Sequence, residues 1–296
     1  MPVSDNLASD IVGLISPLAL SRRGFMTSTA AATAGYTLAA GPVSAQAITT
    51  DTAGLTAGDA KAKVADGEMP LYFAKPANST NPPVILVAME IFGLHQYIKD
   101  VTRRLGKLGA LAVAPDYYFR QGDLAKISEM PQLMPLVNAK TDAQLITDLD
   151  ATVEWAKSQG GDTSRLGIIG FCRGGRTVWV YCATSPRVAA GVAFYGPLVD
   201  APAQKAIWPK SPTELAAEMK APVLGLYGQD DQGIPVAQVE AMRAALAAAG
   251  KPAEFKIYPD APHGFHADYR GSHRKDAAED AWRQMTAWFK THKVLS

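Results

Sequence analysis

Cys172 lies in Gly170-Phe171-Cys172-Arg173-Gly174-Gly175, directly after an apolar run at residues 166–170 and before a helical pattern. Glycines two before and two after it permit the strained strand-to-helix reversal that exposes a central nucleophile, with Cys where Ser more often stands. The positive end of the following helix would favour the ionised thiol. The amide of Arg173 would point where an oxyanion develops. A buried structural cysteine in a Gly-rich turn would leave the same local trace, so its partners must decide. A thiol nucleophile needs a base that is itself held in place. Two later apolar runs end in suitable residues: 223–227 in Gly228-Gln229-Asp230-Asp231-Gln232-Gly233, and 255–258 in Pro259-Asp260-Ala261-Pro262-His263-Gly264. We read His263 as the base and Asp231, in preference to Asp230, as the acid that orients it. Either aspartate alone could be a turn or helix-cap residue. Cys182 falls roughly 15 Å farther along the same predicted helix, too far for a disulfide with Cys172, and reads as core filling. His263, His266, Asp268 and His273 cluster, but at a spacing that matches none of the usual zinc signatures. The reading therefore includes no metal and no cofactor.

Such groups need a scaffold that brings distant turns together. Continuous apolar runs at 84–89, 111–114, 166–170, 188–195, 223–227 and 255–258 alternate with helical patterns near 96–108, 142–158, 174–184, 236–249 and 274–291. Unbroken runs suit strands buried on both faces, and the alternation implies an α/β fold with a mostly parallel sheet covered by helices on both faces. Asp66-Gly67 predicts a hairpin at an antiparallel edge. In such sheets ligands bind beyond the carboxyl ends of the strands, which is where the residues above fall.

Residues 1–47 read as a removable leader. Ser21-Arg22-Arg23-Gly24-Phe25-Met26 precedes an Ala/Thr/Gly-rich stretch and the small residues of Val43-Ser44-Ala45-Gln46-Ala47. These features resemble a twin-arginine export signal, cleaved after Ala45 or Ala47. The expected address is periplasmic or secreted, with the export machinery as partner. A membrane anchor needs about 20 predominantly apolar residues, and the Thr and Gly content and Pro42 argue against one. Residues 48–62 lack periodicity and read as a linker, leaving 63–296 as one domain of ordinary α/β size. A net charge of +1 gives no footprint for nucleic acid or an anionic membrane. Two cysteines are too few for a disulfide framework.

Cys172, Asp231 and His263 in that order, with Glu90-Ile91-Phe92-Gly93-Leu94 and Pro115-Asp116-Tyr117-Tyr118-Phe119-Arg120-Gln121, resemble the dienelactone hydrolase (carboxymethylenebutenolidase) family. The resemblance runs from about Gly67 to Phe289. It implies an α/β-hydrolase fold and a Cys-His-Asp triad that opens lactones or carboxylic esters through a thioester acyl-enzyme. It also implies that Glu90 interacts with the resting thiol, that the Ile91 amide is a second oxyanion donor and that Tyr195 lines the pocket. Glu90 could otherwise be a helix N-cap acid. Family members acting on dienelactone hold its carboxylate with arginines, one of them four residues after the histidine. Here that position is Ala267, and no Arg occurs between Arg120 and Arg165. Arg120 and Arg270 are the substitutes, unless they are surface cations. Residues 197–220, with Trp208, read as a lid or cap. The alternatives are a broader esterase of unknown substrate or a non-catalytic periplasmic binding or thiol-sensing protein.

Overall fold

The computed structural model describes residues 48–296. The expected leader, with Arg22, Arg23 and both cleavage points, lies outside the described residues. Eight strands form one sheet: β1 Leu55–Val64, β2 Gly67–Pro76, β3 Pro83–Ala88, β4 Leu111–Pro115, β5 Asp162–Phe171, β6 Val188–Phe194, β7 Val223–Gly228 and β8 Ala253–Tyr258. Their order is β1-β2-β4-β3-β5-β6-β7-β8. The β1–β2 and β2–β4 pairs are antiparallel and the rest parallel.

The helices are α1 Gln96–Lys107, α2 Met130–Asn138, α3 Asp142–Ser158, α4 Arg173–Thr184, α5 Val236–Ala248 and α6 Lys275–Thr291. Successive strand residues point to opposite faces. The complete burial of β3, β4 and β7 therefore means that both faces of the central sheet are covered. In β3, Val84, Ile85, Leu86 and Val87 are all 0% exposed, each contributing about 1.5–3 kcal/mol of apolar burial. Helices α1, α3, α4 and α6 pack on the strands.

Three regions differ from the expectation. Residues from Leu55 onward are not linker: β1 pairs with β2 from Leu55↔Pro76 to Val64↔Gly67. Its Thr, Ala, Gly, Asp and Lys residues lack an apolar rhythm because no residue of this edge strand before Ala62 is fully buried. The backbone ladder, invisible in composition, holds it. The hairpin at Asp66 forms as expected. Helix α2 carries Pro131 in its first turn, where Pro is tolerated, and Pro135 inside; the two prolines disguised it. Within 197–220, short 3-10 turns at Pro202–Gln204 and Pro212–Glu218 are tied down by Trp208. That indole is 3% exposed and donates Nε1–H to the Lys140 carbonyl at 2.9 Å.

Candidate active site

Cys172 joins β5 to α4 with φ 54° and ψ −121°, a left-handed conformation for a non-glycine residue that costs about 1–3 kcal/mol. Close backbone contacts on both sides enforce it. A Cβ on Gly170 would meet the Gly174 carbonyl oxygen at 2.1 Å, and one on Gly174 would meet the Ala88 oxygen at 2.1 Å. The glycines thus let the start of α4 press onto the ends of β3 and β5. The Cys172 amide donates to the Phe194 carbonyl at 3.0 Å, fixing the turn on the next strand. Cys172 is 8% exposed, whereas Cys182 is sealed at 0%, and burial pushes the Cys182 thiol far up so that it stays protonated.

His263 and Asp231 follow β8 and β7. Nδ1 of His263 lies 2.7 Å from Oδ2 of Asp231. An ionised carboxylate only accepts, so the shared proton belongs on Nδ1 and Nε2 is left for the thiol side. Oδ1 of Asp231 accepts from the Gly233 and Ile234 amides at 2.9 and 3.0 Å, which fixes the carboxylate. Burial opposes charge on His263, but Asp231 and then Cys172, each by charge and by hydrogen bond, outweigh it and raise its pKa well above the usual imidazole value. Asp230 is exposed and does not take the acid's place. Tyr195, fully buried at φ 37°, sets its ring edge-on to His263 at 5.0 Å.

Glu90, 0% exposed, follows β3. It accepts from the Tyr269 hydroxyl at 2.8 Å and from Arg270 Nη2 at 3.4 Å, and His95 Nε2 lies 3.3 Å away. It does not cap a helix, since His95 holds the N-cap position of α1. Burial pushes its carboxyl up, but Arg270 first, then His95 and Tyr269, outweigh burial and hold it at about 2. A carboxylate depressed from 4.5 to about 2 stabilises the fold above pH 4.5, and that contribution is lost as pH falls through 2. Glu90→Gln leaves Arg270 buried without its counterion, so urea unfolding at pH 7 should show a loss of about 3–5 kcal/mol. The gap should narrow as pH is lowered from 4.5 toward 2. Equal stabilities at pH 7 would contradict the assignment.

The two candidate arginines part here. Arg120 is not brought to the site as a free clamp. Its Nε and Nη2 donate to Asp66 at 2.7 and 2.6 Å, and its Nη1 and Nη2 to Asp148 at 2.8 and 3.0 Å, which pins the β1–β2 hairpin to α3. Arg270 is no surface cation. It is 7% exposed, lies 4.5 Å from the Phe92 ring and 4.9 Å from the Tyr269 ring, and is within electrostatic reach of Cys172.

Ile91 is buried beside Glu90. Arg173 opens α4, where amides point outward along the helix axis. Its guanidinium stacks 4.2 Å from the Trp208 ring and lies 3.6 Å from Asp200, so the 197–220 segment packs at the shoulder of Cys172. Tyr118, also buried, has Arg173 and Cys172 among the charges that reach its phenol. His266 contacts Tyr97, and Asp268 pairs with Arg104. Among the described residues no group of three or more His, Cys, Asp or Glu side chains is arranged to hold a metal ion. Sequence reasoning gave no role to Tyr269, His95 or Tyr118; their one signal is closeness in sequence to Arg270, Glu90 and Arg120, at one, five and two residues.

Residues 69–293 match the dienelactone hydrolase family. The chain belongs to that family. This dienelactone hydrolase-like chain is 49% identical over 289 residues to a Methylorubrum extorquens protein provisionally named a carboxymethylenebutenolidase, covering 97% of this chain and 98% of the other. An Escherichia coli K12 protein of the same provisional name is 44% identical, over 87% of this chain and 95% of its own. A crystal structure from Klebsiella pneumoniae, described provisionally as a dienelactone hydrolase, superposes with a TM-score of 0.78 at 45% identity, covering 80% of this chain and 98% of that one. The fold is an α/β-hydrolase, and the protein is a hydrolase of the dienelactone hydrolase-like type.

Proposed function

We propose that the protein cleaves a lactone or carboxylic ester through a thioester on Cys172. The observation that carries this reading is His263, held by Asp231 at 2.7 Å and within electrostatic reach of Cys172, which stands in a strained strand-to-helix turn. His263 takes the Cys172 proton, and the thiolate attacks the carbonyl carbon. The amides of Ile91 and Arg173 hold the resulting oxyanion, a contribution of about 3–4 kcal/mol per donor in comparable sites. On collapse the C–O bond breaks and the alkoxide leaves with the proton from His263. Water, deprotonated by His263, then opens the thioester, releases the acid and restores the thiol. Tyr195 supports the His263 ring. Glu90 holds the Arg270 guanidinium in place within electrostatic reach of Cys172, where it offers a site for a carboxylate on the substrate; Arg120 is committed elsewhere.

A panel of aryl esters and lactones, each with and without a carboxylate, tests this. Turnover of several members is expected, with KM lower for the anionic ones and that preference lost in Arg270→Gln. No turnover of any member would contradict the proposal. We propose further that residues 1–47 direct export to the periplasm, on the strength of Arg22-Arg23 and the small residues ending at Ala47. Cell fractionation of Arg22→Lys/Arg23→Lys protein should find it retained in the cytoplasm; export at the normal level would refute the leader.

A further inference from the structure

The loop that follows His263 crosses α1 and touches it twice, in contacts the proposed chemistry does not use. Tyr97 and Arg104 stand two turns apart on one face of α1. The Tyr97 hydroxyl lies 2.6 Å from Nδ1 of His266. Nη2 of Arg104 donates to Oδ2 of Asp268 at 2.5 Å, and its Nε donates to Oδ2 of Asp100 at 2.5 Å. One guanidinium thus bridges two carboxylates whose side chains are 3% and 4% exposed. Oδ1 of Asp100 also accepts from the Thr50 amide at 2.5 Å and from Arg103 at 3.1 Å, which ties the start of the described chain to the same point. Burial and then Arg104 hold His266 at about 3, so its ring is neutral and shares one hydrogen bond with the Tyr97 hydroxyl. The Tyr97 ring packs 5.6 Å from Phe171, the neighbour of Cys172.

These anchors matter because the loop's own start is soft. Gly264, directly after His263, sits at φ 73°, where glycine carries no steric penalty and little directional preference. Local backbone bonds (Ala267 to Gly264 at 2.9 Å, Arg270 to Ala267 at 3.0 Å) fold the loop on itself; Tyr269 and Arg270 tie its far end to Glu90, and Asp268 ties its middle to α1. Asp231 and Tyr195 hold the His263 ring from one side, and the path of the chain on the other side of the glycine is set by the anchors beyond it. Asp268, 3% exposed, cannot leave Arg104 without becoming a buried charge that has lost this counterion, which is costly.

We propose that Arg104 is a positioning residue: by holding Asp268 it fixes the loop that places His263 against Cys172. The inference rests on the proposed pairing of Cys172 and His263, but its main readout needs no substrate.

Full-length Arg104→Gln protein should be labelled with iodoacetamide at pH 7 and both cysteines followed by peptide mapping. Cys182, sealed in the core, labels only when the fold opens and so reports unfolding in the same sample. Misplacing the base by about 1 Å should slow Cys172 labelling and kcat roughly 10- to 100-fold, with KM moved less than about twofold and Cys182 still protected. Arg104→Lys keeps the charge and should recover most of both rates. Asp268→Asn, which removes the same pair while leaving Arg104 its Asp100 partner, should reproduce the Arg104→Gln effect and serves if that variant folds poorly. Three results would overturn the proposal: wild-type labelling and kcat in both variants, loss that tracks Cys182 labelling, or no recovery with lysine. If the wild-type protein hydrolyses nothing on the panel while Arg104→Gln still slows Cys172 labelling, the proposed function fails and the positioning role stands.

Discussion

Cys172→Ala protein is expected to lose ester hydrolysis by roughly 10⁴- to 10⁶-fold in kcat, the scale seen when a nucleophile is deleted from a catalytic unit that acts as a whole. The fold should survive the change. The φ of 54° is no harder for alanine than for cysteine, the neighbouring glycines remain, and the 8% exposed sulfur fills little of the core. KM should move little, because the pocket walls and the Ile91 and Arg173 amides stay where they are. Steady-state kinetics on the best panel substrate, beside thermal melts of both proteins, would read this. More than about a tenth of wild-type kcat from a folded variant would exclude Cys172 as the nucleophile, since bound water and an oxyanion site alone give far less.

Asp231→Asn should cost about 10⁴-fold in kcat through a change of tautomer. The asparagine carbonyl would keep the bonds from the Gly233 and Ile234 amides, which leaves its NH₂ facing His263 Nδ1. An NH₂ only donates there, so Nδ1 must become the acceptor and Nε2 must carry the proton, the wrong state for deprotonating Cys172. The substitution also removes the largest of the contributions that raise the His263 pKa. A raised histidine stabilises the fold fully below its unfolded pKa of 6.5 and loses that contribution as pH rises through the folded value. The stability deficit of Asp231→Asn should therefore be greatest below pH 6.5 and shrink toward alkaline pH. Denaturant unfolding across that range checks the sign; a deficit that grows with pH would mean that Asp231 does not charge His263.

Cys172, Asp231 and His263 were legible because each sits in a short turn directly after an apolar run, and a strand-helix alternation places such turns at one end of a parallel sheet. The roles of Arg120 and Arg270 were not legible for a physical reason. Each is decided by carboxylates far away in sequence, Arg120 by Asp66 at a separation of 54 residues and Arg270 by Glu90 at 180. From sequence both are single cations in polar loops; in the fold one is a strut for the hairpin and the other is buried against Glu90, Tyr269 and Phe92. The same holds for Glu90, whose partners Tyr269 and Arg270 come from the far end of the chain. Strand β1 and helix α2 escaped because backbone pairing and tolerated prolines carry no periodic apolar signal.

The most direct test of a thioester mechanism is the intact mass of wild-type protein quenched in acid within milliseconds of mixing with an activated aryl ester. A mass gain equal to one acyl group, mapped to the peptide holding Cys172 and removed by neutral hydroxylamine, is expected. An acyl group on any other residue, or a product burst with no adduct on Cys172, would contradict it.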